Sequence, residues 1–172
     1  MAIKEVIHEL NRIQSEGLVV DYAVGGAVAA LAYIEASSTE DVDVFVILRP
    51  GASDLAPLGE IWANLQAHGA VPEGERLVIG EWPVQFLPPG SPLDEDAIRN
   101  AQPWDFGGVS GRIMRPEYVA AIALALGRAK DKVRVEEFVR RGRLDMAEFT
   151  KVLTKHGLLQ QWNIFTHKYL DA

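Results

Sequence analysis

The chain has 172 residues, enough to bury a substantial core within one domain, and its 48% hydrophobic and 24% charged content excludes a disordered chain. Asp and Glu outnumber Lys and Arg by 24 to 17, a formal net charge of −7, and cysteine is absent, which excludes a disulfide framework, a Cys-ligated metal and thiol catalysis. The longest apolar stretches, Ala27 to Ile34 and Val119 to Leu126, are too short to span a bilayer. Met1 to Glu5 hold no basic segment leading into an apolar one, so a soluble cytoplasmic protein without a secretory signal is expected.

In chain order, Ile3, Val6, Ile7, Leu10 and Ile13 repeat with a helical period, and Gly17 stands where a C′ glycine would end the helix. Leu18 to Val24 is β-rich and runs into Gly25-Gly26, followed by an Ala-rich stretch to Tyr33 that suits a helix packed closely on a sheet. Val42 to Leu48 is apolar apart from Asp43, the pattern of a central, buried strand. Leu55, Leu58, Ile61, Trp62 and Leu65 predict a helix, and Arg76 to Phe86 a hairpin turning at Gly80-Glu81. Ser91-Pro92 opens a short helix with Asp94, Glu95 and Asp96 near its positive end. Val109 to Met114 predicts a last strand. From Pro116 the pattern is helical throughout, three or so helices, with Asp145 and Glu148 as an N-cap and N3 pair and Gly157 as a terminator. The expected architecture is a single domain over residues 1–172: an α/β core over 1–114, a mixed sheet flanked by helices, and a helical C-terminal part over 115–172.

Charge divides along the same boundary. Residues 1–110 carry 5 basic and 17 acidic side chains, a net of −12, while residues 111–172 carry 12 basic and 7 acidic, a net of +5. Such a split suits a metal-binding side facing a phosphate-binding side, although solvated helix faces of mixed charge give the same count.

The chemistry concentrates between Gly25 and Phe45. Asp41 and Asp43 are two apart at the start of a strand and project on one face, where two carboxylates can hold a hard divalent cation together with substrate phosphates. A second ion bridged by the same pair would clamp an in-line phosphoryl displacement. Gly25-Gly26, after a strand and before a helix, leaves backbone N–H groups bare for a polyphosphate. Each half is common by itself, as a solvated edge or a tight turn. Their succession, strand, Gly-Gly, helix and then Thr39-x-Asp41-x-Asp43 on an apolar strand, is far more specific.

This succession resembles the signature of the DNA polymerase β-like nucleotidyltransferase superfamily, and Arg115-Pro116-Glu117 through Gly127-Arg128-Ala129-Lys130-Asp131 resembles its minimal bacterial branch related to AbiEii-type toxins. The likeness spans about residues 18–135. It implies a nucleotidyltransferase fold and Mg²⁺- or Mn²⁺-dependent transfer of a nucleoside monophosphate from an NTP to a hydroxyl on an RNA, a protein or a small molecule. Asp41 and Asp43 would be metal ligands. Gly25, Gly26, Ala27 and Thr39 would face the nucleotide, and Lys130, with Arg128, its phosphate or base. An antitoxin partner is implied by the same branch.

Two positions depart from the family pattern. Ala27 stands where a hydroxyl often touches phosphate, and Gln85, on the Trp82 to Phe86 strand, stands where a third catalytic carboxylate is expected. An amide cannot take a proton from an attacking hydroxyl and serves Mg²⁺ less well than a carboxylate. The chain is then an active enzyme with a substituted base, or a degenerate relative that binds nucleotide or a partner; alternatively Gln85 is a polar edge residue on a strand aligned differently. Asp131 is open between a motif residue and the N-cap of a helix from Lys132 to Arg141. His8, His68, His156 and His167 lack ligand spacing and read as surface or capping residues, Trp62, Trp82, Trp104 and Trp162 as core, and Gly107 to Gly111 as a turn without a P-loop lysine. Arg140-Arg141-Gly142-Arg143 suits a helix C-terminus.

Overall fold

The structure, a computed structural model, describes residues 3–34 and 39–171; Met1 and Ala2, where the segment read for a secretory signal starts, lie outside them. Helix α1 (Ile3–Ser15) buries Val6, Ile7, Leu10 and Ile13, the residues its period selects. Gly17, at φ +77°, closes it, with Leu18 N–H bonded to Ile13 C=O at 3.0 Å. Strand β1 (Val19–Val24) leads through Gly25 into α2 (Gly26–Tyr33), and β2 (Val42–Leu48) follows. Helix α3 (Gly59–Ala67) precedes β3 (Val71–Glu73), β4 (Arg76–Ile79) and β5 (Trp82–Leu87). Then come α4 (Pro92–Arg99), β6 (Gln102–Asp105), β7 (Ser110–Ile113), α5 (Pro116–Leu126), α6 (Ala129–Arg140), α7 (Met146–Lys155) and α8 (Leu159–Phe165), with a π turn at Thr166–Leu170.

Among the described residues seven strands form one mixed sheet in the order β3-β4-β5-β2-β1-β7-β6. Its centre combines an antiparallel β1/β2 pair with parallel β2/β5 and β1/β7 pairs, while both edges are antiparallel hairpins. Along β2 the side chains alternate: Val42, Val44 and Val46 are fully buried, and Asp43 and Phe45 face the other way and are only half-buried. The expected two-sided burial of this strand therefore holds on one face, and the other face opens onto a cleft. The fold class matches the expectation: a mixed sheet flanked by helices with a helical C-terminal part. No described helix is long and apolar enough to cross a membrane.

Several local expectations need correction. Leu55 is 99% exposed and lies outside α3, which starts four residues later; Pro57 disfavours helical geometry at the residue before it. Strands β3 and β6 have no counterpart in the sequence reading, because they are short and each holds a proline, Pro72 and Pro103, that argues against a strand unless it lies at an edge or hairpin. The Gly107 to Gly111 segment is the turn and opening of the β6–β7 hairpin. Among the described residues four α-helices follow residue 115, where three or so were expected.

The C-terminal helices are fastened by polar side chains. Buried Glu117 of α5 accepts from the Asp145 N–H at 2.9 Å, and Asp145 in turn caps α7 by accepting from the Ala147 and Glu148 N–H groups. Asp96 of α4 receives both Lys155 Nζ, at 2.6 Å, and His156 Nε2, at 2.8 Å, at the end of α7. The four tryptophans are half-buried against the core, as expected of them.

Candidate active site

The Gly25-Gly26 turn is stitched to β2. Gly25 N–H donates to the Asp43 carbonyl at 2.9 Å, and a Cβ on Gly25 would come within 2.7 Å of the Phe45 ring. Gly26 takes φ +55°, and a Cβ there would overlap Asp43 Oδ2. Glycine at 26 is therefore required twice, by backbone conformation and by the carboxylate that occupies the space. The first intrahelical bond of α2 is Ala29 N–H to Gly25 C=O, so the N–H groups of Gly26, Ala27 and Val28 form the open first turn beside Asp43.

Thr39 lies outside the lining of the cleft; its hydroxyl donates to the Asp41 carbonyl at 2.9 Å and so fixes the approach to β2. Asp41 and Asp43 share the cleft face, and Asp41 Oδ2 is paired with Arg76 Nη2 at 2.8 Å. Burial is the main cause that holds the Asp43 carboxyl above its ordinary range; the charge of Asp41 adds to it, and Lys130, Arg134 and Arg76 oppose it. On the neighbouring parallel strand Gln85 is in register with Asp43 and lines the same cleft, while Val84 and Phe86 point into the core. The register places an amide, not an acid, beside Asp43.

The opposite wall comes from the α5–α6 junction. Gly127, at φ +65°, ends α5 in a left-handed C-cap, and Arg128 takes the N-cap position of α6 without a side-chain capping bond. Asp131 is thus not an N-cap: it sits in the first turn of α6, fully buried, and accepts from Arg128 Nε at 2.6 Å with Arg134 Nη1 at 3.9 Å. The bond to Asp131 raises the Arg128 pKa, while burial lowers that of Arg134. Lys130 is exposed at the rim and reaches Asp43 with its field. Between the walls lies a cleft of about 630 Å³ that also carries an apolar patch including Phe45, Leu87, Met114 and Ile122. Acid from the sheet and base from the helices meet there, the arrangement that the uneven charge suggests.

Of the sequence-derived residues, Asp41, Asp43, Gln85, Gly26, Ala27, Arg128 and Lys130 line this one cleft; Gly25 underlies it and Thr39 stands behind Asp41. Arg76, Arg134 and Asp94 also line it and were not singled out. Arg134 was findable, four residues after Lys130 and so on the same face of a helix. Arg76 carries no local signal, since its place depends on how β4 lies beside β5.

Among the described residues no three or more His, Asp or Glu side chains gather as a metal cage. Asp41 and Asp43, with the Gln85 amide in register, would instead suit one hard divalent ion completed by phosphate oxygens and water. The missing Cβ of Gly26 lets Asp43 Oδ2 lie against the open first turn of α2, which brings carboxylate and free N–H groups together as that use requires. A separate hollow of about 450 Å³ includes Glu5, His8, Glu9 and His68 and likewise brings no such cage together.

No protein-family model matches the sequence. No curated protein matches it either. Solved structures do. An antigenic nucleotidyltransferase-like protein from Paracoccidioides brasiliensis is 14% identical, with a TM-score of 0.60 over 98% of this chain and 89% of that one. The antibiotic-resistance factor ANT(2'')-Ia, in its solution structure, is 16% identical, with a TM-score of 0.51 over 99% of this chain and 98% of that one. This chain has a nucleotidyltransferase-like fold.

Proposed function

We propose that the chain is a metal-dependent nucleotidyltransferase that moves a nucleoside monophosphate from an NTP to a hydroxyl acceptor. The observation that carries this reading is the juxtaposition of the Asp43 carboxylate with Gly26 at the open first turn of α2, in one cleft with Asp41 and the cations of α6. Asp41 and Asp43 would hold Mg²⁺ or Mn²⁺, which when bound would draw charge from the phosphate oxygens. The N–H groups of Gly26 and Ala27 receive phosphate oxygens, and Lys130 and Arg134 face the charge from the opposite wall. The acceptor oxygen bonds to the α-phosphorus as the bond to pyrophosphate breaks. Its proton passes to Asp43 or to water, because the Gln85 amide has no free base to offer.

Incubation with each labelled NTP, Mg²⁺ or Mn²⁺ and a cell extract tests the reading: a labelled product that disappears in Asp43→Ala supports it, and no product from any NTP refutes it. The amide beside Asp43 favours a second reading, a degenerate relative that binds nucleotide without turnover. Calorimetry separates the two, since tight NTP binding with no labelled product is the signature of the second. The resemblance of Arg115 through Asp131 to AbiEii-type toxins suggests a third reading, a toxin held in check by an antitoxin. Growth arrest on expression, relieved by Asp43→Ala, is its test.

A further inference from the structure

We propose that Arg76 is a positioning residue with two alternative partners: it holds Asp41 in the free protein and passes to the triphosphate when nucleotide binds, so that metal and nucleotide enter the cleft together. The proposal rests on the reading of the cleft given above. Arg76 is the first residue of β4, next to the turn of the β3–β4 hairpin, and reaches into the cleft from the acidic, sheet side. Its guanidinium meets Asp41 Oδ2 at 2.8 Å, so a divalent ion and Arg76 would compete for the charge of one carboxylate.

The three arginines of the cleft differ in how they are held. Arg128 is bonded to fully buried Asp131, and Arg134 lies mostly buried beside the same carboxylate. Arg76 is 45% exposed and its partner Asp41 29%, so this pair is solvated, weak and readily exchanged. A triphosphate offers a guanidinium several oxygens in the geometry it pairs with best. Moving Arg76 to phosphate releases Asp41 in the same step, and the field that Arg76 exerts at Asp43 stays within the cleft. Gln85 sharpens the consequence. With an amide in place of a third acid, losing Asp41 to Arg76 leaves Asp43 as the only uncommitted carboxylate of the sheet-side pair, so the free protein should be a poor metal binder.

The test is Mn²⁺ binding, read by the electron paramagnetic resonance of free Mn²⁺, in wild type, Arg76→Ala and Arg76→Lys, each with and without a non-hydrolysable NTP analogue. Without nucleotide, Arg76→Ala should bind Mn²⁺ more tightly than wild type, by up to about fivefold, the scale of an exposed ion pair. The analogue should enhance Mn²⁺ binding strongly in wild type and much less in Arg76→Ala, which should also bind the analogue more weakly when metal is absent. Arg76→Lys, which keeps the charge and loses the fork, should fall between them; it carries the test if Arg76→Ala does not fold. Equal Mn²⁺ affinity in wild type and variants without nucleotide, or equal enhancement by the analogue, overturns the role of Arg76 and leaves the cleft assignment standing. Wild type that takes up neither Mn²⁺ nor the analogue overturns the cleft assignment, and this inference with it.

Discussion

Replacing Gly26 by alanine probes the junction of turn and carboxylate most directly. The residue sits at φ +55°, where an L side chain costs about 1–2 kcal/mol, and its new Cβ would lie on Asp43 Oδ2. Gly127 provides the matched control: its φ is +65°, but a Cβ there would meet only the Leu124 carbonyl oxygen, at 3.8 Å. Gly127→Ala should therefore lose about 1–2 kcal/mol, a fall in Tm of roughly 2–8 °C for a chain of this size, with ligand binding unchanged. Gly26→Ala carries the same backbone cost and must also turn the Asp43 carboxylate out of its place, which should abolish measurable Mg²⁺ and NTP-analogue binding. Thermal melts with and without ligand, and calorimetry on both variants, read the difference. Wild-type affinities in Gly26→Ala, with a Tm equal to that of Gly127→Ala, would mean that Asp43 does not fill the space beside Gly26, and the geometry behind the proposed chemistry would fall.

Lys130→Ala should weaken NTP-analogue binding by roughly 5- to 100-fold, the scale of one charge-assisted contact, with the melting temperature held; unchanged affinity returns Lys130 to a solvated rim. Gln85→Asp sets a third carboxylate beside Asp41 and Asp43, so its melting temperature should respond to Mg²⁺ more than that of wild type; equal shifts would place residue 85 away from the metal. The Asp96 pKa is lowered by Lys155 and His156, so its bonds stabilise the protein above the ordinary Asp range and fade as pH falls through its folded value. Asp96→Asn should thus lower Tm at neutral pH, with the gap to wild type closing below about pH 4; a gap that does not change with pH would refute the ionic part of this tie between α4 and α7.

What the sequence revealed, and what it hid, follow from the range of each interaction. The helix α1, the Gly-Gly turn and strand β2 were legible because their signals are local: a period, a dipeptide, alternation along seven residues. Gln85 could be set on the face of Asp43 because Val84 and Phe86 fix which way β5 faces, and the two residues are neighbours in register. Arg76 was hidden, since nothing near it in sequence says that it will face Asp41 across two strand pairings, β4 with β5 and β5 with β2. For a related reason the sequence left Asp131 open between motif residue and cap. Its sequence suits a cap, but α6 starts two residues earlier at Ala129, and the carboxylate turns inward to Arg128 and Arg134. Edge strands β3 and β6 were masked by their prolines, which an edge tolerates and a sequence pattern does not.

The charge split acquires its meaning only when the chain is folded. The sheet side presents Asp41 and Asp43, and α6 presents Arg128, Lys130 and Arg134 across the same cleft. A nucleotide polyphosphate with a divalent ion has the complementary polarity, cation toward the sheet and oxygens toward the helices. Two devices keep the free cleft from being driven apart or shut by its own charges. Asp131 neutralises part of the basic wall from beneath, fully buried and therefore fixed. Arg76 neutralises part of the acidic wall from the rim, where it is exposed and able to leave. A third acid at residue 85 would lie one strand spacing, about 5 Å, from Asp43 and repel it by roughly 3 kcal/mol at an effective dielectric of about 20. One rim arginine already paired with Asp41 could not offset that. On the role proposed for Arg76, the amide at 85 and the arginine at 76 both act on the charge of the same acidic wall, and substitutions at both positions should couple.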